Sequence, residues 1–119
     1  MNLEQLQEYC TSKKGVEETM PFDSETLVYK VMGKMFALCG MENVPLSANL
    51  KCDPEKALEL RELFHQIKPG WHMNKKHWNT VETGGDVSDT LFKELIDHSY
   101  DLVVAGLPKK LKNELENLE

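Results

Sequence analysis

The chain has 119 residues, with 14 lysines and arginines against 20 aspartates and glutamates, a net charge of −6 and a pI near 5.2. That length supports one core but not two. The acidic balance excludes indiscriminate coating of nucleic acid, which rests on phosphate neutralisation by basic side chains.

The expected elements begin with an amphipathic helix over 2–12, because Leu3, Leu6, Tyr9 and Cys10 recur at spacings of three and four. Residues 16–25 hold acids, Pro21 and Phe22, and read as an irregular or partly extended link. Two β-prone runs, 27–32 and 35–39, flank Gly33-Lys34. The spacing predicts a hairpin with a type II′ turn and glycine at its first central position. Leu46, Ala48 and Leu50 alternate with polar residues, as in a half-buried strand. Asp53-Pro54 opens a second helix with Ala57, Leu60, Phe64 and Ile67 inside, ended by Pro69-Gly70. A strand over 78–83 follows. Ser88 then caps a third helix with Leu91, Phe92, Leu95, Ile96, Leu102 and Val103 inside. Leu111, Leu115 and Leu118 mark a short last helix. Short turns between successive strands require antiparallel pairing. The expected architecture is a single α+β domain spanning 1–119, in two layers, with about four to five antiparallel strands and helices on one face.

No window approaches the roughly 18 apolar residues of a membrane helix, and the N-terminus resembles no secretory signal. Cys10, Cys39 and Cys52 are odd in number and widely spaced, with no Cys-x-x-Cys pair, which suits buried thiols in a reducing compartment. A cytoplasmic monomer without membrane contact is expected.

The chemistry concentrates in residues 68–81, Lys-Pro-Gly-Trp-His-Met-Asn-Lys-Lys-His-Trp-Asn-Thr-Val. Both tryptophans, two of the four histidines, two asparagines and three lysines lie here, and no acid. Without those lysines the remainder holds 11 basic against 20 acidic residues, so a segment at +3 sits on a remainder at −9. Lysines meet phosphates, asparagines read polar edges and tryptophans stack on bases. Three phosphate contacts give a salt slope of about −3 on duplex DNA. Against this stands a scaffolding reading, with Trp78 as core and Trp71 sealing a helix end, which the residues alone favour slightly.

Other chemistries find less support. His65, His72, His77 and His98 lack the matched spacing of a zinc site. The acids at Glu17, Glu18, Asp23 and Glu25, and at Glu114 and Glu116, lack a calcium-loop pattern and read as solvated faces. No nucleophile elbow, phosphate loop or dinucleotide fingerprint occurs. A Cys52–His77 pair formed in space is the one catalytic arrangement left open. No metal, cofactor or enzymatic activity is expected.

The run from Lys68 to Val81, with His72-Met-Asn-Lys-Lys-His-Trp78 at its centre, resembles the signature of the MmcQ/YjbR family. Val31 to Ala37, Asn49 to Lys51 before Asp53-Pro54, and a closing helix with Ser99-Tyr100 extend the resemblance over essentially the whole chain. It implies a CyaY-like or secretion-chaperone-like α+β fold with a curved antiparallel sheet. It also implies a DNA-binding label that rests on likeness to a "double-wing" motif, which is fold analogy.

The leading expectation is DNA binding. Lys68, Lys75 and Lys76 would meet phosphates, His72, Asn74 and His77 would make polar contacts, and Trp71 would stack or wedge. Trp78 is expected to be structural. The alternative is a protein-interaction or chaperone-like module that uses an apolar groove on the sheet or an acidic helix face, with no nucleic-acid or catalytic activity.

Overall fold

The computed structural model describes residues 1–118. Helix α1 (Leu3–Thr11) starts with a capping box: the Asn2 side chain accepts the Gln5 N–H at 2.8 Å, and Gln5 Oε1 accepts the Asn2 N–H at 2.9 Å. The strands β1 (Val16–Thr19), β2 (Thr26–Val31), β3 (Lys34–Gly40) and β4 (Ser47–Lys51) follow. Helix α2 (Pro54–Leu63) comes next, then β5 (Ile67–Pro69), β6 (Trp78–Glu82), α3 (Asp89–Ala105) and α4 (Lys109–Glu116). The six strands form one sheet in the order β1-β2-β3-β4-β6-β5, antiparallel throughout.

The fold class is the expected α+β, and the sheet has six strands against the expected four to five, with two edge strands that the sequence did not mark. The segment read as a link contributes β1, whose Val16 to Thr19 pair with Val31 to Val28. The other addition is β5. Ile67 continues the spacing of Ala57, Leu60 and Phe64, yet α2 stops at Leu63 and Phe64 is already extended at φ −124, ψ 119. Ile67 is buried as a strand residue opposite Val81. The hairpin turn differs too. Val31 pairs with Lys34, so Met32 and Gly33 are the central residues, at φ +50 and +85. Two positive φ values are the pattern of a type I′ turn, whose twist matches the flanking strands.

One face of the sheet carries the main core. Leu27, Tyr29, Val31, Phe36, Cys39 and Leu50 from the strands meet Leu6, Ala57, Phe92, Ile96 and Leu115, drawn from all four helices. Ser99 and Asn79 are the buried polar residues among those described. Ser99 is fully buried on α3, and its hydroxyl donates to the Phe36 carbonyl and accepts the Lys51 N–H at 2.8 Å. Phe36 is the extra residue of a bulge between the pairs Tyr29–Ala37 and Lys30–Met35, where a main-chain carbonyl needs a partner outside the ladder.

Among the described residues, the opposite face carries no helix. Val28, Leu38 and Trp78 form a second, small buried cluster there, covered by Met35 and Met73. Met35 comes from β3, and Met73 from the β5–β6 connection, residues 70–77, which is the centre of the basic aromatic segment.

Candidate binding groove on the uncovered sheet face

The β5–β6 connection is tied down along its length. Gly70 donates to the Trp78 carbonyl at 2.9 Å, and the Asn74 carbonyl accepts from His77 and Trp78 at 3.2 and 3.0 Å. The approach at Gly70 leaves no room for a side chain, since a Cβ there would lie 2.8 Å from Trp78 Cβ and 3.0 Å from its carbonyl oxygen. Arg61 reaches across from α2. Its Nε donates to Asn79 Oδ1 at 2.7 Å, and its Nη2 donates to the carbonyls of Lys75 and Trp78. Asn79, 2 % exposed, also donates to the Ala57 carbonyl at 3.4 Å. Neither Arg61 nor Asn79 stood out in the sequence as a site residue. The Arg61–Asn79 bond spans 18 positions, and no local pattern marks it.

Trp71 is held by its main chain and released at its side chain. Its N–H donates to Thr80 Oγ1 at 2.9 Å, and its carbonyl accepts from Asn49 Nδ2 at 3.1 Å. Thr80 in turn donates to Asn49 Oδ1. The indole is 69 % exposed and meets the His72 ring edge-on, with centroids 4.6 Å apart and planes at 63°. His72 adopts φ +58, a left-handed conformation that costs a non-glycine residue on the order of 1–3 kcal/mol and persists only where its surroundings impose it. Trp78 points into the small cluster at 9 % exposure.

Only one of the three lysines of this segment is uncommitted. Lys68 Nζ pairs with Glu82 at 2.7 Å, and Lys75 Nζ donates to the Gly70 carbonyl at 2.8 Å. Lys76 is exposed, with no side-chain partner among the described residues. The Asn74 side chain accepts the Lys76 N–H at 2.9 Å, closing a local turn. His77 is half-buried, and its carbonyl accepts the Cys52 N–H at 2.8 Å. That link is main chain only. Burial pushes the Cys52 thiol up to about 11, away from nucleophilic use at neutral pH. The void of about 10 Å³ beside Cys52 is lined by Leu50, Asn79 and Leu95 among others, and not by His77. Burial likewise pushes Cys10 and Cys39 up to about 12. His65 is exposed, and His98 sits on α3 accepting the Asp53 N–H. No group of three or more histidines, cysteines or acids capable of holding a metal ion occurs among the described residues.

Trp71 and His72 form one lip of a groove of about 690 Å³ that crosses the uncovered face. That volume lies within the roughly 300–1,000 Å³ typical of ligand clefts. Leu38, Met35, Asn49 and Thr80 lie along its floor, with Met73 beside Trp71. The far side is built by Phe22, Asp23 and Glu25 from the β1–β2 loop and by Glu42 and Asn43 from the β3–β4 turn. Phe22 is 64 % exposed. Asp23 is fixed in place: its Oδ1 accepts the N–H groups of Glu25 and Thr26 at 2.8 and 2.7 Å, which holds its carboxyl below the usual range. The basic segment therefore faces an acidic loop from the other end of the sheet. Phe22, Glu42 and Asn43 were not singled out as site residues, and only the strand order brings them opposite Trp71. No helix among the described residues is long and apolar enough to cross a membrane.

Known proteins share both the sequence and the shape. The YjbR family model matches residues 11–102. The chain is 46 % identical over 96 residues to YbdF of Escherichia coli O157:H7, covering 80 % of this chain and 78 % of that protein. It is 34 % identical to YjbR of Escherichia coli K12 over 119 residues, covering 99 % of this chain and all of YjbR. Both relatives are described as uncharacterized. A crystal structure of the Deinococcus radiodurans protein DR2400, described by its DUF419 domain, superposes with a TM-score of 0.89 at 42 % identity, over 97 % of this chain and 88 % of that one. A Pseudomonas syringae protein superposes at 0.73 with 28 % identity, over 86 % and 98 % of the two chains. With the family model covering most of the chain and close relatives matching across it, the protein belongs to the MmcQ/YjbR family.

Proposed function

We propose that the protein is a monomeric, cytoplasmic binding module without catalytic machinery, whose ligand lies in the groove of the uncovered sheet face against the Trp71–His72 lip. One observation carries this reading. The Trp71 main chain is bonded at both its donor and its acceptor, yet its indole stands 69 % exposed over the groove. Folding alone gives no return for fixing a large aromatic in water, whereas a preorganised aromatic lowers the ordering cost of binding. The cytoplasmic placement rests on the three unpaired thiols.

The test is amide chemical-shift mapping with a panel of short peptides of basic, acidic and neutral composition and with single- and double-stranded DNA oligonucleotides. Shifts that converge on Trp71, His72, Asn49 and Thr80, and vanish in Trp71→Ala, support the reading. A panel that perturbs only other surfaces, or nothing, defeats it.

DNA binding through the same lip is the second reading, favoured by the exposed Trp71 and the free Lys76 side chain in one segment. With Lys68 and Lys75 engaged in the fold, phosphate contact falls mainly to Lys76. The salt slope expected on duplex DNA is then about −1 rather than about −3. Fluorescence anisotropy of a labelled duplex against salt concentration measures it. Absence of binding at low salt removes this reading.

A further inference from the structure

The groove also has a charge character that narrows its occupant. Asp23, Glu25 and Glu42 line it, and no lysine or arginine does among the described residues. This holds although the basic segment supplies the facing lip: Lys68 and Lys75 are tied elsewhere, and Lys76 is not among the lining residues. The Asp23 carboxylate is set in position by two backbone N–H groups, so it is a fixed charge and not a mobile surface acid. Phe22 and Trp71, two of the most exposed large apolar side chains of the molecule, stand on opposite sides of the groove, Phe22 on the side of these acids. Between them Leu38, Met35 and Met73 form an apolar floor flanked by Asn49 and Thr80.

The lining runs from Thr26 on β2 through β3 and β4 to Thr80 on β6. That is three inter-strand spacings, about 14 Å at about 4.8 Å each, which an extended chain crosses in about four residues. Aromatic lips, an apolar floor and fixed negative charge match a short chain that alternates cationic and apolar side chains. The guanidinium or ammonium groups would meet the acids and the ring faces. A polyanionic strand laid in the same place would meet three carboxylates.

Building on the groove reading, we infer that the groove receives an extended, arginine- or lysine-containing apolar segment of a partner protein. Its basic side chains face Asp23, Glu25 and Glu42, and its apolar ones pack between Phe22 and Trp71.

The experiment uses three peptides of equal length that alternate leucine with arginine, with glutamine or with glutamate, followed by Trp71 emission and amide shifts. A dT oligonucleotide serves as competitor. The arginine peptide binds, shifts the amides of Glu25, Asn49, Trp71 and Thr80, and weakens with salt. Glu25→Gln and Glu42→Gln, both at exposed positions, each weaken it roughly two- to fivefold while leaving the amide spectrum of the free protein folded. If the glutamine peptide binds as tightly, the charge assignment is wrong and the groove reading stands. If the oligonucleotide shifts the same amides and displaces the arginine peptide, the occupant is a nucleic acid and this inference falls alone. An arginine peptide that binds only at another acidic surface also overturns it. If no probe touches the groove, both readings fall together.

Discussion

Asn49 and Thr80 face each other across the β4–β6 pair and together grip the main chain of Trp71, one at its carbonyl and the other at its N–H. Thr80→Val keeps the side-chain shape and removes the hydroxyl. It leaves the Trp71 N–H and Asn49 Oδ1 without each other's intermediary. The expected loss of stability is about 0.5–1.5 kcal/mol, with faster amide exchange at Trp71 and His72. Urea unfolding and hydrogen exchange measure the two effects. Unchanged exchange at Trp71 would mean that the lip is held by something other than this clamp.

Trp71 and Trp78 lie seven positions apart in one segment and should respond oppositely to truncation. Trp78→Ala empties the small cluster against Val28 and Leu38 and is expected to cost about 3–5 kcal/mol. Trp71→Ala removes a side chain that is 69 % exposed and should change stability by no more than about 0.5 kcal/mol, while ligand binding is lost. Denaturation midpoints of the two variants, set beside a binding titration of Trp71→Ala, separate the roles. A large stability loss for Trp71→Ala contradicts the assignment.

Arg61 should be more costly to replace than a surface arginine. Arg61→Ala strands the buried Asn79 Oδ1 and withdraws a donor from the Lys75 and Trp78 carbonyls. About 2–3 kcal/mol is expected for a charged donor lost to partly buried acceptors. Arg61→Lys should recover little, because one ammonium lacks the planar fork that serves three acceptors at once. Thermal or urea denaturation of both variants decides it, and full rescue by lysine would show that charge alone is what matters.

Stability should fall on mild acidification through His98. Its Nε2 accepts the Asp53 N–H at 3.1 Å, which only the neutral ring can do. Burial, and then the nearby Lys56 charge, hold its pKa below the ordinary 6.5, against smaller opposing effects of Asp53 and Asp101. The unfolded chain therefore takes up the proton first. The contribution is complete above pH 6.5 and is lost as pH falls through the lower folded-state value. Urea midpoints between about pH 7.5 and about pH 5 should drop more steeply for the wild type than for His98→Gln. Parallel curves would rule this contribution out.

Where neighbours in sequence are neighbours in space, the residues foretold the fold. The three-and-four spacing of α1, the Asp53-Pro54 and Ser88 starts, and the alternation of β4 all describe contacts within one element. Ile67 misled because positions 57, 60, 64 and 67 fit one helical stripe, and a three-residue edge strand is too short to show alternation. Val16-Glu17-Glu18-Thr19 hid a strand because two acids suit a solvent-facing edge as well as a loop. The turn at Met32-Gly33 was misplaced by one residue, since glycine is permitted at either central position. At the site, the chemical oddity of residues 68–81 was legible. That Lys68 and Lys75 are spent internally, that Arg61 anchors the segment, and that Phe22 and Glu42 stand opposite Trp71 are products of strand order. No spacing in the chain records them.

The cover of the small cluster has a consequence for how selective the groove can be. Met35 and Met73 lie over Val28, Leu38 and Trp78 and also line the groove. Their unbranched thioether arms have several rotamers of similar energy, so such a surface reshapes under a guest instead of rejecting a poor fit. The rigid lip and the fixed carboxylate set where a ligand lies and which charge it carries. The yielding bed beneath tolerates differences in the size of its apolar side chains. Discrimination among related sequences should therefore be coarse, with several guests of one chemical pattern sharing a single seat.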